Sequence, residues 1–396
     1  MPAVCFYFQV HQPIRLRKYT AFDIGKNEEY FDDERNRFFL ERASRKCYMP
    51  TNAKLLELME KYDGKFKVTF SLSGIFIEQL EKFFPDVLES FRKLVDSGCA
   101  EIMNETYYHS LAYMISREEF RDQVDMHRRK IKSVFGVRPK VFRNTEAMYN
   151  NDVAKVVHEM GYNGIVAEGL DHALEWRSPN YLYKAKGSDI PVFLRNYKLS
   201  DDIAFRFSTR DWREWPLTAD KFATWLSSSN GELVNLFMDY ETFGEHQWTE
   251  TGIFDFLHHL PEECFRHGNV KFMTLSEALA NFRPVGEFDV HNLSSWADVH
   301  RDVSAWLENS MQSNAFNEIK SLEEKIRKSG NRNLIDTWRK LQTSDNFYYM
   351  CTKWFADGDV HKYFNHYDTP YDAYMNYMNV IADIKNRLQA RSRRRA

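Results

Sequence analysis

The sequence predicts an α/β fold in which parallel strands close toward a barrel, followed by a region of helices. Short apolar, β-rich runs alternate with helical patterns up to about residue 284, and several runs are hydrophobic almost throughout, as parallel strands covered on both faces are. From about residue 296 the pattern is helical only. The 396 residues, 43% of them hydrophobic, allow one large and one smaller domain. We therefore expect a barrel domain at residues 1–285 and a helical domain packed on it at residues 286–396.

Seven runs read as strands, and seven parallel strands suggest barrel-like closure. They are AVCFYFQV (3–10), FKVTFSLS (66–73), CAEIMN (99–104), KVFRNT (140–145), GIVAEG (164–169), PVFLRNY (191–197) and LVNLFMDY (233–240).

The helical segments between and after these strands have recognisable ends. We expect a cap at Thr51 before the first segment, and a break between two helices at Pro85. A Ser-x-x-Glu capping pattern predicts a helix start at Ser116, and Gly136 predicts its end. In the C-terminal region, Pro370 marks the start of a long helix.

Charge and cysteine usage argue against several classes of function. The formal net charge is −3, which disfavours a nucleic-acid-binding protein that relies on phosphate contacts. No apolar run reaches the length of a membrane span, and the chain does not start with a secretory signal pattern. The five cysteines are scattered without zinc-ligand spacing, which is typical of free thiols in a reducing compartment. We expect a cytoplasmic protein without nucleic-acid or membrane partners.

Polar side chains collect where the predicted strands end. In parallel α/β barrels the active residues lie at the carboxyl ends of the strands. A single polar residue there is more often structural than chemical, and Glu241, Glu105 and Arg195 fit a purely structural ion-pair network as well. The candidates that follow the strands include His11, Glu101, His109, Arg143, Glu146, Asp239, Glu241, His246 and Trp248.

Two of these carboxylates have the strongest claim to chemistry. Glu146 follows the fourth strand and Asp239 ends the seventh, so both face one rim. Hydrolysis of a glycosidic acetal needs two carboxyl groups held about 5 to 10 Å apart. Aromatic residues make up 15% of the chain, which suits stacking on sugar rings but is also typical of an aromatic-rich core.

Five motifs together resemble glycoside hydrolase family 57, the α-amylase and 4-α-glucanotransferase family. The segments HQP, CAEIMNETYYH, VFRNTEAMYN, FMDYETFGEH and TLSEAL are similar to its five conserved regions, in order. The C-terminal stretches RDVSAWLEN, LQTSDNFYYM and DGDVHKYFNHYDTPYDAYMNYMN are similar to intracellular α-amylase-like members. The resemblance covers most of the chain, and it implies an incomplete (β/α)7 barrel followed by a helical bundle.

The resemblance also implies roles for individual residues. Glu146 matches the family's nucleophile and Asp239 its acid/base, in a retaining reaction on α-1,4-glucans that uses no cofactor or metal. The substrate is starch, glycogen or a maltooligosaccharide, and transfer to a sugar by a 4-α-glucanotransferase is the alternative outcome. The predicted substrate-binding residues are His11, Glu101, His109, Arg143, Glu241, His246, Trp248 and Asp345.

Two positions depart from the family pattern and indicate different sugar contacts. His246 stands where the glucanotransferase branch places a Trp, and Arg143 stands where an aromatic residue is common, three positions before the nucleophile.

Two rival functions remain open on the sequence alone. A metal-dependent polysaccharide deacetylase or mannosidase-like enzyme would need Asp and His ligands, for which the sequence offers Asp171 with His172, and His258 with His259. The adjacent His258 and His259 point to different faces of a helix. A non-catalytic glucan-binding protein would keep the fold and the aromatic residues.

Overall fold

The computed structural model describes residues 2–353 and 365–395. Residues 357–364 of the last C-terminal motif therefore lie outside the described residues. All seven predicted strands are present, with three further short ones. The strands are β1 (Ala3–Val10), β2 (Val68–Leu72), β3 (Ala100–Ile102), β4 (Val141–Arg143), β5 (Gly164–Glu168), β6 (Leu182–Ala185), β7 (Pro191–Arg195), β8 (Leu233–Asp239), β9 (Lys271–Phe272) and β10 (Glu287–Phe288).

The seven predicted strands run parallel around an incomplete barrel. Extended pairing joins β8 to β1, β1 to β2, β2 to β3, β4 to β5 and β5 to β7. Two neighbouring strand pairs are joined by one residue pair each. An isolated bridge between Asn104 and Phe142 joins the end of β3 to β4, and the pair Arg195 and Asn235 joins β7 to β8. The predicted incomplete (β/α)7 barrel is confirmed, with β6 added antiparallel to β7 outside the ring.

The barrel interior is apolar below its carboxyl-end mouth. Tyr7 and Phe237 pair across β1 and β8 and stack with ring centroids 4.8 Å apart. Leu275 and Ala278 of the helix Leu275–Asn281 join the same buried cluster. This helix therefore closes the amino end of the barrel, as a plug that leaves the opposite end for polar side chains.

Helices cover the outside of the strands. In chain order they are α1 (Asp33–Ala43), α2 (Met49–Lys61), α3 (Gly74–Phe83), α4 (Pro85–Asp96), α5 (Ala112–Ile115), α6 (Arg117–Phe135), α7 (Asn151–Glu159), α8 (Asp171–Leu174), α9 (Tyr197–Ala204), α10 (Ala219–Ser227), α11 (Ile253–Arg266) and α12 (Leu275–Asn281).

Most of the predicted helix ends are confirmed, and one is wrong. Pro85 begins α4, the Ser116 hydroxyl accepts from the Glu119 amide at the start of α6, and Gly136 ends α6 with φ of 72°. Thr51 is not a cap, because α2 continues from α1 through a π-helical turn and the Thr51 hydroxyl donates to the carbonyl of Phe243. The Thr51 hydroxyl therefore makes a tertiary hydrogen bond instead of the local capping bond that the sequence pattern predicts.

The C-terminal region is helical, as predicted. Its core contains the large buried side chains Trp306, Trp338, Phe347 and Tyr377. The helices are α13 (Ser304–Leu307), α14 (Ser310–Ser321), α15 (Glu323–Ser329), α16 (Arg332–Leu341), α17 (Ser344–Tyr348) and α18 (Pro370–Arg395).

The proposed domain boundary at residues 285 and 286 stays a proposal. The pair of β10 with β6 lies past it, so the sheet continues beyond residue 285. None of the helices in the described part of the chain is both long and apolar enough to cross a membrane. All five cysteines are unpaired, and Cys351 is the one that is partly exposed.

Candidate active site

A polar layer lies at the carboxyl-end mouth of the barrel. Gln9 on β1 is in register with Ser71 on β2 and with Asp239 on β8. Arg143 ends β4 and Arg195 ends β7. Since neighbours in register on parallel strands face the same way, Gln9, Ser71 and Asp239 share the inward face one layer above Tyr7 and Phe237. Arg195 is in register with Asn235, one layer below Phe237.

Glu146 occupies a strained turn directly after β4. Its φ of 55° is left-handed, and so is that of Ala147 at 50°. Such backbone is uncommon for residues other than Gly and concentrates at functional sites. The turn leaves the Glu146 side chain 6% exposed at the mouth of the barrel.

Three side chains converge on the Glu146 carboxylate. The indole of Trp296 donates to Oε2 at 2.8 Å, and the hydroxyl of Ser344 donates to Oε1 at 2.9 Å. His109 Nε2 lies 3.2 Å from Oε1. Three donors on one carboxylate stabilise its negative charge and hold it in a single orientation.

His109 lies between two carboxylates. Its Nδ1 is 2.8 Å from Oε2 of Glu105, on the side away from Glu146. Burial opposes a charged ring, but hydrogen bonding to the two carboxylates outweighs it and raises the pKa of His109 to about 9. The pKa of Glu105 falls to about 2 against the opposing effect of burial, because His109 and Arg143 favour its anion. Both groups are therefore charged at neutral pH.

His11 joins the same cluster from the end of β1. Its Nδ1 is 2.7 Å from the Ser73 hydroxyl, and its Nε2 is 3.0 Å from Oδ2 of Asp345. The His11 ring stacks on that of His109 with centroids 4.1 Å apart. Burial and then the charge of His109 lower the pKa of His11, so the stacked pair holds one charged and one neutral ring.

Asp239 differs sharply from Glu146 in its surroundings. Burial, and after it the negative charge of Glu146, raise the pKa of Asp239 to about 7, although Arg143 acts in the opposite direction. The two carboxyl groups are thus close enough to repel each other. One carries three donors, and the other keeps its proton into the neutral range.

Glu241 lies beside Asp239 and is almost fully buried. It accepts from the Tyr48 hydroxyl and, at 3.4 Å, from Nε2 of Gln12. Burial and the charge of Asp239 raise the pKa of Glu241 to about 8.

Arg143 is placed below the mouth and cannot bind substrate as predicted. The side chain is completely buried, with its guanidinium 5.1 Å from the Phe237 ring and 5.4 Å from the Trp296 ring. None of its three nitrogens has a hydrogen-bond partner within the described residues, and its nearest carboxylate, Glu105, is 3.9 Å away. The buried guanidinium therefore acts on the carboxylates of Glu105, Glu146 and Asp239 through its charge alone.

Glu101 was also predicted to bind sugar, but its carboxylate is engaged on the side away from the mouth. Its carboxylate accepts from the backbone amide and the hydroxyl of Ser276 at the start of α12. That helix plugs the amino end. Glu101 lies one register layer below Asp239, level with Tyr7 and Phe237, and its carboxylate turns toward the plug.

The remaining predicted residues lie on the loop after β8. His246 is half-buried, and its backbone amide closes the turn onto the carbonyl of Glu241 at 2.8 Å. Trp248 has 53% of its surface exposed. Sugar binding by these two residues stays a prediction.

Two residues that contact Glu146 were missed by sequence reasoning. Trp296 lies where the predicted helical pattern begins, and nothing in that pattern distinguishes it from a packing residue. Ser344 is next to the predicted Asp345, so the C-terminal motif pointed to the correct loop but to one of its two side chains only.

Trp296 is held by contacts on both sides. Its ring stacks on Phe237 at 4.7 Å, and its carbonyl accepts from Arg301. Beside it Arg195 donates to Glu168 at 3.1 Å and to Asp201 at 2.5 Å. Of the three residues for which a structural ion-pair network was left open, Arg195 lies in one, with Glu168 and Asp201. Glu241 and Glu105 are not part of it, because Glu241 accepts from Tyr48 and Gln12 and Glu105 faces His109.

The described residues contain no group of three or more His, Cys, Asp or Glu side chains that could hold a metal ion. The pairs Asp171 with His172 and His258 with His259 therefore lack a third ligand in that part of the chain. A site of carboxylates, imidazoles and hydrogen-bond donors can perform acid–base and nucleophilic chemistry without metal.

Comparison with known proteins gives consistent results. The sequence model of glycosyl hydrolase family 57 matches residues 5–291. A protein of Methanocaldococcus jannaschii, whose name gives α-amylase as a provisional assignment, is 46% identical over 96% of this chain and 84% of its own length. The α-amylase of Pyrococcus abyssi is 24% identical over 78% of this chain, which spans about half of that enzyme's length (45%).

Solved structures support the fold. The 4-α-glucanotransferase of Thermococcus litoralis superposes with a TM-score of 0.67 at 19% identity, covering 87% of this chain and 56% of the other.

Proposed function

Because the chain belongs to glycosyl hydrolase family 57, we propose that it is a retaining glycoside hydrolase of α-1,4-glucans that works through a covalent glycosyl-enzyme. Starch, glycogen and maltooligosaccharides are the substrates that the family and its named relatives suggest. Glu146 is the nucleophile and Asp239 the acid/base.

One observation carries the proposal: two neighbouring carboxyl groups at one barrel mouth have opposite surroundings, since three side chains hydrogen-bond to one and burial raises the pKa of the other. Glu146 accepts from Trp296 and Ser344 and faces the protonated ring of His109. Asp239 has a pKa raised to about 7 by burial and by Glu146. A retaining glycosidase needs this difference, because one group attacks as an anion while the other delivers a proton.

The first half of the reaction uses both groups. A Glu146 oxygen attacks the anomeric carbon, and the proton of Asp239 goes to the departing glycosidic oxygen, whose bond to that carbon breaks. In the second half, Asp239 takes a proton from water or from a sugar hydroxyl, and the oxygen of that acceptor bonds to the anomeric carbon. The bond from this carbon to the Glu146 oxygen breaks at the same time and restores the carboxylate.

Transfer to a sugar instead of water is the second candidate activity. It uses the same intermediate, and this chain has the fold of a 4-α-glucanotransferase. Which acceptor wins depends on loops around the mouth, including the exposed Trp248.

The test is chromatography of the products from maltoheptaose. We expect glucose and maltose to accumulate, because water is the acceptor. A ladder of oligomers longer than the substrate would establish the transferase alternative. An untouched substrate, with starch and glycogen also untouched, would contradict both.

A further inference from the structure

Glu105 is fully buried below the mouth and cannot touch a substrate. It follows β3, and its Oε1 accepts from the Ser71 hydroxyl at 2.9 Å. Its Oε2 faces Nδ1 of His109 at 2.8 Å. One oxygen of this carboxylate therefore contacts the site only through His109, and the other is held by Ser71.

His109 is fixed in place by more than this one contact. Its backbone is left-handed with φ of 48°, and its ring lies flat on His11. Nε2 points to Oε1 of Glu146 at 3.2 Å, so the imidazole links a buried carboxylate to a reacting one.

We propose that Glu105 is a positioning residue, which orients His109 and keeps it charged so that Nε2–H donates to the Glu146 carboxylate. This inference rests on the proposed function, since Glu146 is the group that His109 serves. The arrangement is that of a buried carboxylate that orients a histidine, as in metal sites and hydrolase triads.

The charges that face His109 come from several elements, and Glu105 is the decisive one. Glu146 and Asp239 lie on the substrate side, while Asp345 and His11 approach from the C-terminal loop and β1. Nη1 of Arg143 lies 3.9 Å from Oε2 of Glu105, the oxygen that also faces His109. The anion of Glu146 is consumed when the glycosyl ester forms, whereas Glu105 stays charged throughout. Of the two carboxylates that hydrogen-bond to His109, Glu105 is therefore the one that keeps the ring protonated over the whole cycle.

The experiment compares Glu105→Gln with Glu101→Gln, a change of the same type four residues earlier. Glu101 lies on β3, and its carboxylate accepts from Ser276 and does not contact His109. We expect Glu105→Gln to lower kcat about 10- to 100-fold, as loss of a supporting carboxylate does elsewhere, with KM changed less than about threefold because no sugar contact is lost. Glu101→Gln keeps the kcat of the wild type.

The second readout is the titration of His109 by NMR, with its signal assigned through its loss in His109→Gln. In the wild type the ring stays protonated up to a pKa of about 9. In Glu105→Gln its titration falls by more than one pH unit, toward the ordinary value of about 6.5. An unchanged titration, or an unchanged kcat, overturns the proposal.

Two further points keep the outcome decisive. If Glu105→Gln does not fold, Ser71→Ala removes the support from Oε1 alone, and a kcat equal to that of the wild type contradicts the positioning role. The titration needs no glucan, so a wild-type chain that turns over no α-glucan overturns the proposed function, while the titration still decides the role of Glu105.

Discussion

Two carboxylates from strand β3 and the turn that follows it have opposite surroundings. On the side of the plug helix, the half-buried Glu101 accepts from Ser276 of α12. At the carboxyl end, Glu105 faces His109, and through it Glu146. Four residues separate a carboxylate that stabilises the fold from one that prepares chemistry. The difference lies in the partner that the neighbouring segments place beside each carboxylate, Ser276 for Glu101 and His109 for Glu105. Four substitutions test this difference.

The largest effect is expected at Glu146. Glu146→Gln removes the nucleophile and should lower turnover at least about 1,000-fold. The thermal melt and glucan binding should stay close to those of the wild type, because the amide keeps the shape. Turnover comparable to the wild type would show that the mouth of the barrel is not the reacting end.

A smaller but still large loss is expected at Asp239, together with a pH signature. Wild-type activity should fall as pH rises through about 7, since the acid loses its proton there. Asp239→Asn should remove most turnover on glucans. An alkaline limb that stays flat well above this pH would contradict the assignment of Asp239 as the acid.

The same substitution should change stability with a definite sign. The pKa of Asp239 is higher in the folded chain, about 7, than in the unfolded one, about 3.9. The wild type therefore loses stability as pH rises from about 4 to about 7. Asp239→Asn should be more stable than the wild type above pH 7, by about 1 to 3 kcal/mol, and equal to it near pH 4. Thermal melts at both pH values measure this.

An intermediate effect is expected at Trp296. Trp296→Phe keeps the stacking on Phe237 but removes the donor to Oε2 of Glu146. A hydrogen bond to a charged group contributes about 1.5 to 3 kcal/mol, so kcat should fall about 10- to 100-fold. Trp338→Phe is the matched control, because that indole donates to a backbone carbonyl inside the helical region. It should lower the melting temperature and leave kcat unchanged.

The smallest effect on activity is expected at the amino end. Glu101→Gln weakens two contacts to Ser276 and should cost about 1 kcal/mol of stability, measured by urea denaturation. The kinetics on maltoheptaose should not change. A loss of kcat beyond about threefold would return Glu101 to the site where the sequence had placed it.

The sequence predicted the strands of the barrel well, because a strand buried on both faces leaves an apolar run that nothing else in the chain imitates. The family motifs singled out Glu146 and Asp239, whose roles stay a proposal. The surroundings of Glu101 and Arg143 could not be predicted, because a strand end shows which layer a residue occupies. It does not show whether the side chain packs against a plug helix or against aromatic rings. Thr51 failed similarly, since a hydroxyl with a tertiary acceptor looks the same in sequence as a cap.

The loop before α17 has a consequence for how such enzymes evolve. The match to the family model ends at residue 291, yet Trp296, Ser344 and Asp345 reach Glu146 and His11 from beyond that point. A gene fragment that stopped there would encode the two proposed catalytic carboxyl groups without the partners that hold Glu146. Recombination between relatives must therefore exchange barrel and tail together, or the two halves must be re-adapted to each other by later mutation.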